Sequence, residues 1–494
     1  IFNQMGFDIF LCIVCIVFTV LCLFVGFYMV GRFQHPDDKW KSWFSKIVVT
    51  LALGVASMNV LLLPLDALNR SSGNTLKIDI MCWIFTIASL ALAFIICPYT
   101  MFYYENKEEE DELGKKCHPV RKALCELIPF ILFIFLLFLI LYFAVGRCEI
   151  PVENHTAKLA SSIDDMDGAC VDCNEKSGIW SVTPSPVIYL ISILGFLGYL
   201  LLLILGGFGV VTLPFGLFEN FIYRPRPISL QVYSKAKLSV NRWANELLEE
   251  GRALKEDVLT YGRNHKTVRK RYAKFEEQVN ALEETYKQVE IAYRFRGGNP
   301  IWPWVSLFLG ILSIIFTICW IVHILLYYVL DIHPFLNVFL NALDKAFPYA
   351  AIVAFGLFAY YLYWCVVDGT TSVGLNILFI RVHEMEEGNT PMTSILFNSI
   401  IILFASFGVA LFSCMNFSIY TRLSSLDMIY GVQMQTLKGL KYVWKYGVYV
   451  FFAFIIIGLI YKLCKTKAST PRTQILKSFF NEYDVKSINN VEKK

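Results

Sequence analysis

The chain has 494 residues, of which 56% are hydrophobic, 16% aromatic and only 17% charged, and its net charge is +4. That balance lies far outside the soluble range and excludes a water-soluble globular protein. The sequence is that of an integral membrane protein.

Its apolar runs are continuous rather than alternating, and each is about 20 residues long, enough to cross a hydrocarbon core as a helix. Nine are expected, at about 7–30, 47–65, 78–102, 127–145, 187–213, 305–330, 348–367, 394–415 and 443–461. The fold class is therefore an all-α polytopic membrane protein, about nine transmembrane helices with a cytosolic helical hairpin between spans five and six. Four regions follow: a five-span membrane group at 1–215, the hairpin at 216–300, a four-span group at 301–463 and a cytosolic tail at 464–494. The first run exceeds a secretory core of about 7 to 15 residues and no basic segment precedes it, so it reads as a retained span. Because the chain opens at Ile1 without an initiator methionine, a short upstream piece is expected to be missing or removed.

Basic residues beside the spans set the orientation, since cytoplasmic flanks are enriched in Lys and Arg. With the N-terminus outside, the inner segments hold Arg32, Lys39, Lys41 and Lys46, then Lys107, Lys115, Lys116, Arg121 and Lys122, then the basic insertion. Arg381, Lys462, Lys465, Lys467 and Arg472 complete that side, and the opposite segments are poorer. The C-terminus is thus cytosolic. Three Asn-x-Ser/Thr triplets, at Asn69, Asn154 and Asn416, fall outside in this arrangement and are candidate glycosylation sites.

In chain order, the second span carries Asn59 and ends through Pro64, Asp66 and Arg70. Proline can bend or end a helix, and Asp66 could pair with Arg70 one turn on. An interfacial helix end is the plain reading, and a break lining a substrate cavity is the alternative. The third span ends in Tyr103 and Tyr104 and runs into an acidic stretch at 105–112, a solvated surface or a docking patch. The largest outer loop, 146–186, holds Cys148, Cys170 and Cys173, among which one disulfide is expected with its pairing open. Zinc would need a fourth ligand where only His155 is near, and Asp164, Asp165 and Asp167 follow Ile163 where a calcium loop needs its first ligand. No metal or cofactor is expected.

The fifth span contains Gly195, Gly198, Gly206, Gly207 and Gly209, which points to close helix packing, with flexibility at a gate as the alternative. Arg224 and Arg226 follow it, where lipid headgroups are accessible. In the insertion, Val240, Trp243, Leu247, Leu254 and Val258 recur at helical spacing. Phe275, Val279, Leu282, Tyr286, Val289 and Tyr293 then form an a/d seam. Two such helices make an antiparallel hairpin that packs on itself and the membrane domain, or docks an unknown cytosolic protein through 240–293. Acidic residues interleaved among the basic ones exclude nucleic acid as a partner.

His323 lies inside the sixth span, where an ionisable group marks either a functional site or a hydrogen bond to a neighbouring helix. Asp331, His333 and Pro334 mark that helix end, while Asp368, Gly369 and Asn376 occupy the inner mouth of the seventh span. The apolar segment 373–380 reads as re-entrant, and Cys464 is a palmitoylation site or an ordinary thiol. No phosphate-cradling loop, metal cluster or nucleophile beside a base emerges, so the chain does not read as an enzyme.

Several stretches resemble the plant- and protist-type members of the lipocalin-interacting membrane receptor, or limb-region, family. They are Leu62-Leu63-Pro64-Leu65-Asp66-Ala67-Leu68-Asn69-Arg70, Pro98-Tyr99-Thr100-Met101-Phe102-Tyr103-Tyr104-Glu105, and Leu213-Pro214-Phe215-Gly216-Leu217 with the Arg-Pro-Arg-Pro run at 224–227. The stretch 323–331, Ser394-Ile395-Leu396-Phe397-Asn398 and Leu437-Lys438-Gly439-Leu440-Lys441-Tyr442 also fit. The resemblance implies nine spans and an outer N-terminus. Some animal members are described as endocytic receptors for lipocalins, and a distant relative is linked to lysosomal cobalamin handling. It therefore implies a receptor or scaffold in the plasma or endosomal/lysosomal membrane, meeting membrane lipids, an outer or lumenal ligand and a cytosolic partner. A small-molecule transporter or channel passing near Asn59, Asp66, His323 and Asp368 is the competing class.

Overall fold

The computed structural model describes residues 9–35, 38, 42–71, 77–113, 118–156, 174–222, 224, 227–261, 266–294, 299, 301–372, 376–377, 380–381, 385, 388, 390–421, 424–427, 429–430, 434–438 and 440–467. Among them, nine helical stretches are long and apolar enough to cross a membrane, as expected. These are Cys12–Phe33, Trp43–Asn69, Ile80–Lys107, Pro119–Val145, Pro186–Ile222, Ile301–Val329, Ala350–Ser372, Met392–Asn416 and Tyr442–Cys464.

The helices are α1 (Ile9–Phe33), α2 (Trp43–Ser71), α3 (Ile78–Ala91), α4 (Cys97–Leu113) and α5 (Pro119–Val145). Then come α6 (Pro186–Leu201), α7 (Gly207–Ile222), α8 (Leu230–Tyr261), α9 (Lys266–Arg294), α10 (Ile301–Ile324) and α11 (Phe335–Ala346). The chain continues through α12 (Pro348–Ser372), α13 (Met392–Asn416), the single turns α14 (Ser418–Thr421) and α15 (Ser425–Asp427), and α16 (Lys441–Lys467). Three spans carry a widened π turn, at Leu92–Ile96, Leu202–Gly206 and Leu325–Val329. The first precedes Pro98, whose ring has no N–H to give and would press on the carbonyl four residues back. The third ends its span, and Asp331 turns the chain away with φ +50°.

The chain divides into two compact units, Ile1–Leu213 with Ile314–Gly458, and Pro214–Ser313 with Leu459–Lys494. In the first, α2 and α13 form the buried centre, with 78% and 83% of their most apolar 18-residue stretches enclosed, whereas none of the corresponding stretch of α5 is and only Ala123 and Leu127 of that helix are buried. Phe133 and Phe143 of α5 face outward, as a lipid-facing helix requires. Small residues set the closest approaches. A Cβ on Gly198 of α6 would stand 2.6 Å from the backbone nitrogen of Gly408 in α13. One on Gly209 would strike the Cys365 carbonyl of α12, and one on Gly369 the Leu205 carbonyl. Helices in a bilayer associate through such packing, and the fifth span supplies two of these three glycines.

In the second unit α8 and α9 lie antiparallel. Tyr233 stacks on Tyr293 with centroids 4.2 Å apart, Gly251 faces the Phe275 ring, and Arg271 pairs with Asp257. The seam differs from the sequence expectation at two positions, because Val279 and Tyr286 are 36% and 40% exposed. Gln278, Thr285 and Ala292 take the inward places instead, alternating with Phe275, Leu282 and Val289. Thr285 and Ala292 on α9 and Ala236 on α8 are buried, and Gly251 on α8 leaves room for the Phe275 ring.

Among the described residues two stretches of strand interrupt the helices. The 146–186 loop forms β1 (Cys148–Thr156) and β2 (Asn174–Val182), antiparallel, with Cys148 opposite Val182 and Thr156 opposite Asn174. Within the apolar segment expected at 373–380, the described residues form two-residue antiparallel strands, β3 (Asn376–Ile377) and β4 (Ile380–Arg381).

Candidate functional site

The four polar residues singled out within the spans do not converge. Asn59 of α2 donates its amide to Ser89 Oγ of α3 at 2.9 Å and to Ser406 Oγ of α13 at 3.3 Å, joining three helices. Nearby, Ser57 donates to Tyr363 of α12 at 3.1 Å. Asp368 of α12 accepts from the Thr212 hydroxyl of α7 at 2.5 Å and from Ser372 at 3.5 Å. A buried polar group without a partner is expensive, and these pairs remove that penalty while fixing helix register.

His323 is fully buried, with its ring stacked between Tyr327 at 5.4 Å and Phe417 at 5.8 Å. Its Nδ1 accepts from the Leu336 N–H at 3.3 Å, so the proton resides on Nε2, which donates to the Asn416 carbonyl at 3.2 Å. Asn337 of α11 donates to the same carbonyl at 2.8 Å. That carbonyl is an orphan acceptor at the C-terminal end of α13, and His323 with Asn337 caps it. Here the hydrogen-bonding reading of His323 describes the geometry.

Asp66, 3% exposed near the end of α2, accepts from the Leu426 N–H of α15 at 2.9 Å. Cys414 of α13 donates to Asp427 at 3.4 Å, and the Asp427 N–H donates to Ser424 Oγ at 3.2 Å. Further on, Trp444 Nε1 of α16 donates to the Met434 carbonyl at 3.1 Å. The segment between α13 and α16 is therefore pinned to α2, α13 and α16.

This segment also holds the base of the β hairpin. Cys148 pairs with Leu437 as an antiparallel bridge. The Glu149 N–H donates to Thr436 at 2.8 Å, the Lys438 N–H donates to Arg147 at 2.9 Å, and Lys438 forms an ion pair with Glu149 at 3.5 Å. Two loops nearly 300 residues apart in sequence thus share one platform, which presents Ile179 and Trp180 as exposed apolar side chains. Sequence reasoning missed Glu149, Asn337, Cys414, Asp427 and Lys438. The alternation of Ile150 and Val152 with Glu149 and Glu153 was the available signal for β1.

The remaining candidates are dispersed. Arg224 donates to the Phe221 carbonyl at 3.1 Å and lies over the Phe221 ring at 4.3 Å, capping the end of α7. Arg226 lies outside the described residues. Two glycosylation candidates are corrected: Asn69 is 3% exposed within α2, and fully buried Asn416 donates its amide to Phe412 at 2.7 Å, so neither can carry a glycan. Asn154 lies in β1, with its side chain outside the description. Cys148 is not in a disulfide and packs with Tyr189 and Leu437; burial pushes its thiol up, against a hydrogen bond from Thr436. Cys170 and Cys173, the other two candidates for that bond, lie outside the described residues. Among the described residues no group of three His, Cys, Asp or Glu side chains could hold a metal ion.

Nine apolar helices, helix-to-helix polar ties and a loop platform at one end define a multi-pass integral membrane protein. The chain belongs to the LMBR1-like membrane protein family, whose model matches residues 11–294 and 244–466. A LIMR family protein of Dictyostelium discoideum is 29% identical over 95% of this chain and the whole of the relative. One from Arabidopsis thaliana is 30% identical over 92% of this chain and 95% of the relative, and one from Oryza sativa 30% over 92% and 96%. No solved structure matches the chain.

Proposed function

We propose that the protein is a membrane receptor or scaffold that meets a ligand on its loop platform and a cytosolic protein on its α8–α9 hairpin. The observation that carries this reading is the joining of β1 to the 434–438 segment, which turns two distant loops into one rigid surface. Rigid presentation lowers the ordering cost of binding. The basic flanks favour an outer or lumenal platform, an N-terminus on that side and a cytosolic hairpin, in the plasma or endosomal/lysosomal membrane. On the hairpin, exposed Tyr272, Val279 and Tyr286 repeat every seven residues along α9, a stripe suited to a partner helix.

A transporter or channel is the second reading, and the geometry favours it less. Asn59, Asp66, His323 and Asp368 each bond to a neighbouring element, and none lines either of the two recesses described in the bundle.

The test is a short epitope inserted in 157–173 of the full-length chain. Antibody applied to intact cells should label the protein and be carried into endosomes within minutes. Labelling that requires permeabilised cells, or a surface label that stays in place, would overturn endocytic receptor function at the plasma membrane.

A further inference from the structure

The 12-residue helix α11 joins two spans without crossing the membrane itself, since its length is about 18 Å against about 30 Å of hydrocarbon. One span ends at Val329 before it and the next begins at Ala350 after it, so both of its ends are held near one membrane boundary. Its first turn is fixed more closely. The Leu336 N–H donates to His323 Nδ1 at 3.3 Å, and Asn337 donates at 2.8 Å to the carbonyl of Asn416, the last residue of the span Met392–Asn416. His323 precedes Val329 by six residues, so Leu336 sits about 9 Å below the end of that span.

Around its axis α11 has three faces. Leu336, Asn337 and Leu340 are buried against the protein, while Asn341 and Lys345 are exposed together along one polar edge. A turn of about 100° per residue puts Phe335, Val338, Phe339, Ala342 and Ala346 on a third arc, and all five are exposed. Two phenylalanines and a valine turned to water would form an apolar patch of the kind that soluble surfaces keep small. The chain carries exposed apolar residues on through both ends of the helix, with Leu330 and Ile332 before it and Phe347 after it. Val353 and Leu357 then stand one turn apart on the exposed side of the span Ala350–Ser372, the side that meets lipid.

We infer that α11 is an interfacial helix lying in the leaflet at the end of α13, with its Phe335, Val338 and Phe339 arc bound among phospholipid acyl chains and its Asn341 and Lys345 edge at the headgroups. An apolar arc beside a polar edge on a helix held at the boundary is the arrangement that such a location requires. The depth set by His323 and Asn416, and the continuity with the lipid-facing side of α12, favour lipid over a second copy of the chain or a soluble ligand. The same two bonds tie the lipid contact to the cap on α13. The inference does not rest on the receptor reading.

Full-length protein would carry the photoreactive residue benzoylphenylalanine in place of Phe335, Phe339 or Asn341, with Phe133 of lipid-facing α5 as the reference position. Each variant would be irradiated in phosphatidylcholine vesicles and its adducts identified by mass. Phospholipid adducts at 335 and 339 should match the yield at 133 and exceed that at 341 several-fold. Cross-links from 335 and 339 to a second copy of the chain in place of lipid, equal lipid yields at 339 and 341, or lipid adducts at 133 with none at 335 and 339 would each overturn the assignment. Either of positions 335 and 339 suffices for the decision, so a single variant that fails to fold leaves the outcome readable.

Discussion

Replacing Gly198 by alanine tests the packing that holds the membrane domain together. The added Cβ would lie 2.6 Å from the Gly408 nitrogen and closer still to the Phe404 carbonyl, both backbone atoms of α13 that no rotamer change can move. Separating α6 from α13 strains a well-packed interior, for which overpacking costs about 1–3 kcal/mol. At Gly216 of α7, by contrast, a Cβ meets nothing within 4 Å, and alanine there should gain about 0.5–1 kcal/mol of helix propensity. The two substitutions are chemically identical and should have opposite signs. Thermal unfolding of each variant in detergent, followed by size-exclusion fluorescence, should place Gly198→Ala below wild type and Gly216→Ala at or above it. Equal stability of the two variants would refute the close crossing of α6 and α13.

Asp66→Ala removes a charged acceptor from the buried Leu426 N–H and should destabilise by about 1.5–3 kcal/mol, with Asp66→Asn intermediate; hydrogen exchange at 424–430 should rise first in the alanine variant. His323→Ala leaves the Leu336 N–H without its acceptor, so a loss of about 1–3 kcal/mol is expected in the same melting assay. Glu149→Gln should change stability by less than about 1 kcal/mol, since its partner Lys438 is largely solvated. Burial raises the Cys148 thiol pKa, so at pH 7.5 its thiolate fraction is small. A maleimide should modify exposed Cys464 in the folded protein and reach Cys148 only after unfolding or at higher pH.

The spans were legible because a bilayer demands long continuous apolar runs, a requirement that tertiary context does not override. The glycines of the fifth span declared their packing role for the same reason: a missing side chain in lipid has few other uses. Less visible was what depends on partners distant in sequence. Nothing near Asp66 announces Leu426, and nothing near His323 announces Leu336 or Asn416. α11 escaped notice because its 12 residues are too short for a span and carry polar Asn337, Asn341 and Asp344 among the apolar ones. On α9 the Tyr and Val stripe looked like the seam, yet the smaller Thr285 and Ala292 turned inward and left Tyr286 to solvent. Triplets at Asn69 and Asn416 fit the acceptor pattern but lie at helix ends, where the asparagine amides are buried. Sequence pattern reports composition along a strand or helix and not the depth at which a side chain comes to rest.

The joined loop platform is tested most directly by a single cysteine. Leu437 and Cys148 are antiparallel bridge partners, a pairing that sets Cα atoms about 4.5–5.5 Å apart and within the disulfide range. Leu437→Cys would be placed in a full-length chain carrying a protease site at 262–265, and native membranes would be treated with a mild oxidant and cut. The two fragments should stay joined without reductant and separate with it, while the parent chain carrying the same protease site separates in both. Fragments of the Leu437→Cys chain that part without reductant would contradict the platform.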